Sequence, residues 1–141
     1  MDIEIKEKLE KKFEEIWNCE AGDTYMPRVR NARDIICQGK YDSDEMIEIF
    51  DTSISKKGKT GLVLTIDSVC VKDSANSDSK FIAKYRDIRR TEIVKESLLF
   101  GMKMVSLELR MRDHTTLKIN LESINLGRLK DFIDYARSLY R

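Results

Sequence analysis

Near the start of the chain the apolar side chains Ile5, Leu9, Phe13, Ile16 and Trp17 recur three and four residues apart, with lysine and glutamate between them. That spacing predicts an amphipathic helix, ended by Ala21-Gly22-Asp23. A second helix is expected from about Pro27, because proline at a first helical position loses no hydrogen bond. Met26, Val29, Ala32 and Ile36 would share one face, and Gly39 would stop it. A third, short helix is expected after "YDSDE". Asp42 can cap it, Glu45 three residues later can complete a capping box, and Met46, Ile47, Ile49 and Phe50 follow.

Beyond residue 58 the period changes from helical to alternating. "GLVLTI" and "VCVK" flank Asp67-Ser68, the spacing of a tight hairpin. "DSANSDS", Asp73 to Ser79, reads as a polar loop. "KFIAKY" and the stretch Ile88 to Val94 read as further strands. In "MVSLELRM" Val105, Leu107, Leu109 and Met111 point one way, and Ser106, Glu108 and Arg110 the other. "TLKINLE" repeats this with Leu117, Ile119 and Leu121 inward, after a turn at Asp113, His114 and Thr115. One apolar and one polar face marks an antiparallel sheet lying on a core. Leu126, Leu129, Phe132, Ile133, Ala136 and Tyr140 then form one helical stripe, with Asn125 as N-cap. These elements define an α+β fold: N-terminal helices, a bent antiparallel sheet and a C-terminal helix that caps it. We read residues 1–141 as a single domain, with a helical part at 1–52 and the sheet plus final helix at 58–141.

"GKTGLVLTIDSVCVKD", a polar loop, "FIAKYRDI" and the closing helix together resemble the bacterial pleckstrin-homology-like domains. The matching positions are Gly61, Thr65, Asp67, Tyr85, Asp87 and Ile88, and the resemblance spans roughly residues 58 to 140. It implies a bent antiparallel sheet, a partial barrel, capped by a helix. It implies a scaffold that binds lipid, peptide or protein, with no shared catalytic residues. The helical first third lies outside it.

Composition narrows the class. The 141 residues carry 26 basic and 25 acidic side chains, 36% charged and 41% apolar overall. A near-neutral chain with both signs interleaved gives no general pull toward nucleic acid or an anionic membrane. No run approaches the roughly 20 apolar residues of a membrane span. The charged N-terminus lacks a signal-peptide core, so a cytoplasmic location is expected. Cys19, Cys37 and Cys70 have neither disulfide-framework nor metal spacing and are expected to be small packing residues.

Candidate chemistry is sparse. "SKKGKTG", Ser55 to Gly61, ends like a nucleotide-cradling P-loop. However, Ser53 stands where the first glycine is required, and an apolar strand pattern follows where a helix should. The stretch reads instead as a solvated turn leading into a strand. His114 lies in a polar turn with no partner for nucleophilic catalysis in the pattern, and the cysteines offer it no zinc spacing. "DSDE", Asp42 to Glu45, is better read as a cap than as a magnesium site. "DSANSDS" lacks the glycine and closing glutamate of a calcium loop. We therefore expect no enzyme activity, no metal and no cofactor.

Binding is the remaining reading. Arg86, Arg89, Arg90, Arg110 and Arg112 are the candidate partner-binding residues, because convergent guanidinium groups hold carboxylates or phosphates bidentately. The competing account is a solvated face paired with Glu92, Glu96 and Glu108. Arg28, Arg30 and Arg33 gather in the second helix. The expected partner is another protein, most concretely a toxin or effector occluded by an immunity-type inhibitor through charge complementarity. The alternative is a phosphoinositide or anionic-lipid surface held by Lys56, Lys57 and Lys59. No nucleic acid is expected.

Overall fold

The computed structural model describes residues 1–73 and 79–141; most of the Asp73 to Ser79 loop, and with it the calcium-loop comparison, lies outside the described residues. The fold is α+β. It divides into two compact units, Met1–Lys84 and Tyr85–Arg141. The strands fall into two hydrogen-bonded antiparallel sheets, one of four strands and one of three, rather than one continuous bent sheet. Each is a meander of sequential neighbours.

In the first unit helix α1 spans Ile3–Trp17, and Asp2 caps it by accepting the Ile5 amide. Leu9 and Phe13 are its buried residues. Helix α2 spans Met26–Asn31 with Pro27 in its first turn, and a π turn, Ala32–Ile36, continues it. Cys37 follows, and Gln38 and Gly39 turn the chain with positive φ. Val29, Ala32 and Ile36 are buried as expected, but Met26 is exposed. The third helix is a correction. Asp42 and Glu45 do form a capping box, but it closes only a 3-10 turn, Ser43–Glu45, and strand β1, Met46–Asp51, follows. Ile47 and Ile49 are buried on alternate positions, the two-residue period of a strand.

Strand β2 is Gly61–Thr65, β3 is Ser68–Lys72 and β4 is Lys80–Lys84. The β2–β3 turn is Ile66–Asp67, one residue earlier than expected, because Ser68 already belongs to β3. Thr65 Oγ1 fixes that turn by accepting the Ser68 amide at 2.9 Å. All five β2 residues are buried, so the apolar run is continuous instead of alternating. Val63 pairs with Ile49 and with Cys70. That row packs with Val29, Ala32, Ile36 and Cys37 in one core cluster. Phe50, on the opposite face of β1, meets α1: its ring centroid lies 6.1 Å from Phe13 and 5.3 Å from Trp17. Cys37 and Cys70 are buried packing residues as expected, whereas Cys19 is exposed just past the end of α1.

In the second unit a 3-10 turn, Tyr85–Asp87, leads into β5, Ile88–Ser97; β6 is Lys103–Met111 and β7 is Thr116–Ile119. Leu107, Leu109 and Ile119 form the buried face, on the side of helix α3, Leu126–Ser138, which packs against β5 and β6. Leu129, Phe132, Ile133 and Ala136 are the helix's buried stripe, and Asn125 caps it by accepting the Arg128 amide at 3.0 Å. Asp134 ties the helix to the sheet through Thr91 Oγ1 at 2.6 Å. Val105, expected inward, is exposed.

Candidate functional site

Strand β7 pairs with β6 only over Leu107–Arg110. Strands β5 and β6 continue past it through the pairs Val94 with Ser106, Lys95 with Val105, Glu96 with Met104 and Ser97 with Lys103. Four more residues per strand make a two-stranded arm about 13 Å long. This is why Val105 lacks a neighbour to bury it. The apex is closed by the Leu98 amide donating to the Met102 carbonyl at 2.6 Å. Phe100 and Gly101 take positive φ of 62° and 74°. A non-glycine residue in that region costs about 1 kcal/mol, and here the conformation turns an aromatic ring outward. Phe100 is 98% exposed and Leu99 81%, with Met102 and Leu98 also open. Lys95 and Lys103 flank them, both exposed.

The opposite face of the same sheet carries alternating charges. Arg110 reaches Glu92 at 3.0 Å and Glu108 at 3.2 Å, and Arg90 reaches Glu92 at 3.6 Å. Lys118 bridges Glu96 of the arm at 3.1 Å and Glu108 at 3.7 Å. The hydrogen bond to Glu96 holds the Lys118 ammonium pKa above its ordinary value. Of the five candidate arginines, Arg90 and Arg110 are thus brought together with acids on one face. Arg112 sits elsewhere, its Nε donating to the Arg86 carbonyl at 2.8 Å. Arg86 and Arg89 are exposed. Arg33 is paired with its neighbour Asp34, and Arg28 with Asp23 and Asp51.

The lysine stretch in the first unit is an ordered loop between β1 and β2. Asp51, at the end of β1, accepts the Ser53 amide at 2.9 Å, the Ser53 hydroxyl at 2.5 Å, the Gly58 amide at 3.0 Å and Arg28 Nε at 3.0 Å. Burial pushes the Asp51 pKa up, and these four donors more than reverse it, leaving it below the usual carboxylate value. Arg28 also donates to the Lys56 carbonyl at 3.2 Å, and Asn31 to the Lys57 carbonyl at 2.7 Å. The backbone is therefore held inward while the side chains of Lys56, Lys57 and Lys59 are exposed, with Ile54 fully exposed beside them.

Asp42, Asp44 and Glu45 bring carboxylate oxygens within 4.8 Å of one another. Glu45 Oε1 accepts the Asp42 amide at 2.9 Å, so part of the cluster is engaged in capping. His114 lies exposed in the β6–β7 turn with φ of 72°. The Cys37 thiol faces Cys70, and that hydrogen bond together with burial raises its pKa far above the ordinary thiol value. A thiol so suppressed is a packing group. Among the described residues no helix is long and apolar enough to cross a membrane. Comparison with protein-family models, curated proteins and solved structures gives no match to this chain.

Proposed function

We propose that the chain is a non-catalytic protein-binding module of the inhibitor type, which seats the apex of the β5–β6 arm in a cleft of a partner protein and so occludes it. The observation that supports this reading is the cluster Leu98, Leu99, Phe100 and Met102, held out to solvent on a closed hairpin. Apolar groups concentrated at one projecting point are what the desolvated centre of an interface is made from, and Phe and Met are enriched there. Lys95 and Lys103 would steer an acidic partner toward the apex. The resemblance to pleckstrin-homology-like scaffolds is compatible with such a role, and the reading places the protein in the cytoplasm.

The test is binding to the product of the adjacent gene, with purified proteins. Wild-type protein should form a stoichiometric complex and neutralise that product. The double variant Leu99→Ser, Phe100→Ser should weaken binding by about 100-fold, the scale of losing two anchors, while its melting temperature stays unchanged because neither side chain is packed. Failure to neutralise the neighbour, or equal affinity in the double variant, sinks the reading.

A second reading has its own observation. Lys56, Lys57 and Lys59 project from the β1–β2 loop with Ile54, and the acid within that loop, Asp51, is turned inward and occupied. That combination suits an anionic lipid surface, at about 1 kcal/mol per lysine near the membrane. Vesicles containing phosphatidylserine or a phosphoinositide should bind at low salt and release as salt rises. Replacing the three lysines with alanine should abolish the effect. No vesicle binding at low salt removes this alternative.

A further inference from the structure

Strand β6 has an open stretch of edge. Its odd-numbered residues turn their backbone groups toward β7: the Met111 amide donates to the Thr115 carbonyl at 2.9 Å, and Leu109 and Leu107 follow opposite Leu117 and Ile119. Its even-numbered residues turn toward β5, as the bond from the Leu98 amide to the Met102 carbonyl fixes at the apex. The two sets alternate along any antiparallel strand. Lys103 and Val105 therefore direct their amides and carbonyls to the side of β7, but β7 ends at Ile119, opposite Leu107. Among the described residues no hydrogen bond meets those backbone groups. The open edge, Lys103 to Ser106, is a slot bounded by β7 at one end and by the apex at the other.

The register sets what lies beside the slot. Ile93 pairs with Leu107, Lys95 with Val105 and Ser97 with Lys103. Ile93, Lys95, Lys103 and Val105 thus share the side of the sheet on which Leu107 is buried, and Ile93 and Val105 are each 37% exposed. Lys95 and Lys103 have no ion pair among the described residues, whereas on the other side Glu96 is taken up by Lys118. The outer edge of β5 is partly closed, because Arg137 donates to the Ile88 and Arg89 carbonyls. Antiparallel pairing of two copies at the slot would gather the lysines of both on one face, which like-charge repulsion opposes. An acidic strand meets no such repulsion.

We propose, on the reading that the arm is the docking element, that the slot takes an extended acidic segment of the partner protein as an added strand, antiparallel to β6. The apex supplies apolar anchors and the slot pairs backbone with backbone. An apolar side chain of the incoming strand stands opposite Val105, and an acidic one two residues along stands opposite Lys103. Backbone bonds hold the strand, and the two lysines select its charge.

The probe is the peptide acetyl-Thr-Val-Thr-Glu-Thr-Glu-amide, titrated into the full chain and followed by amide chemical shifts and exchange. The Lys103 and Val105 amides should shift and exchange at least about tenfold more slowly. Those of Thr91 and Ile93, which face the outer edge of β5, should not change. N-methylation of the peptide's valine and first glutamate should weaken binding about tenfold or more, the scale of lost backbone hydrogen bonds, and N-methylation of its second and third threonines should not. The double variant Lys95→Glu, Lys103→Glu alters only exposed side chains and should lose about tenfold as well. Unmoved Lys103 and Val105 amides, shifts at Thr91 and Ile93 in their place, equal loss from either methylation, or full affinity in the lysine variant each overturn the proposal. The variant Leu99→Ser, Phe100→Ser keeps the slot and should bind the peptide as wild type does, which separates the two readings. If the product of the adjacent gene is not neutralised while the peptide still binds at Lys103 and Val105, the inhibitor reading falls and the strand site stands. If neutralisation depends on the apex and the peptide leaves those amides unmoved, the strand site alone falls.

Discussion

Gly61→Ala is expected to lower stability by about 4 kcal/mol or more and the melting temperature by at least about 15 °C. Gly61 opens β2 opposite Asp51 with φ of +139°. A Cβ built there would lie 2.0 Å from the Phe50 carbonyl oxygen, 3.1 Å from its carbon and 3.2 Å from the Thr52 amide. These are backbone atoms of the neighbouring strand, so no side chain can swing aside. The substitution must therefore break the β1–β2 ladder at its end or force L-residue backbone into a region that costs 1–3 kcal/mol on its own, by the usual scale of such strain (~2 kcal/mol). Thermal melts followed by circular dichroism check it; a variant that melts within about 3 °C of wild type would show that the strand end can shift. The comparison Gly127→Ala should be mild, since its Cβ meets only the Asn125 side chain at 3.4 Å, an ordinary contact.

That glycine shows how far sequence carries the fold. "GLVLTI" announces a strand by its β-branched run, and the closing helix announces itself by its stripe and its Asn125 cap. Both stand in the structure. The segment "MIEIFD" was ambiguous for a physical reason. Met46, Ile47, Ile49 and Phe50 satisfy a helical and an alternating period over so short a window. What decides is β2, whose residues pair with β1 from Asp51 opposite Gly61 out to Met46 opposite Thr65, and that partner is invisible to local pattern. The arginine cluster was legible as a choice between an open patch and a paired face; for Arg90 and Arg110 the register puts Glu92 and Glu108 alongside, while Arg86 and Arg89 stay open. The arm was missed. "SLLFGM" has neither period, yet it carries four large apolar side chains where turn chemistry wants polar ones, and an apolar run around a turn glycine is the signal to look for.

Asp51→Ala is expected to cost about 3 kcal/mol at pH 7 and to unfasten residues 52–60. The carboxylate is 8% exposed and satisfies two backbone amides, one hydroxyl and one guanidinium. Deleting it strands the Ser53 and Gly58 amides and half of the Arg28 pairing. The partial exposure of Arg28 lets water repair some of that loss, which keeps the figure below the full cost of a buried pair. Linkage sets the pH dependence. The folded-state pKa of Asp51 lies below its ordinary 3.8. Its contribution is therefore complete above that value and disappears as pH falls through the folded pKa. The stability gap between wild type and Asp51→Ala should be wide at pH 7 and should narrow below pH 4. A gap of constant size through that range would assign the loss to packing and not to the carboxylate. The loop's surface role depends on the same anchor. With Asp51 gone, Arg28 no longer holds the Lys56 carbonyl in register, and the three lysines lose their common orientation. If the loop is what meets anionic vesicles, Asp51→Ala should weaken that binding even though it removes a negative charge from the chain. Simple electrostatics predicts the reverse, so the sign of the change separates a preorganised lysine surface from a mere excess of positive charge.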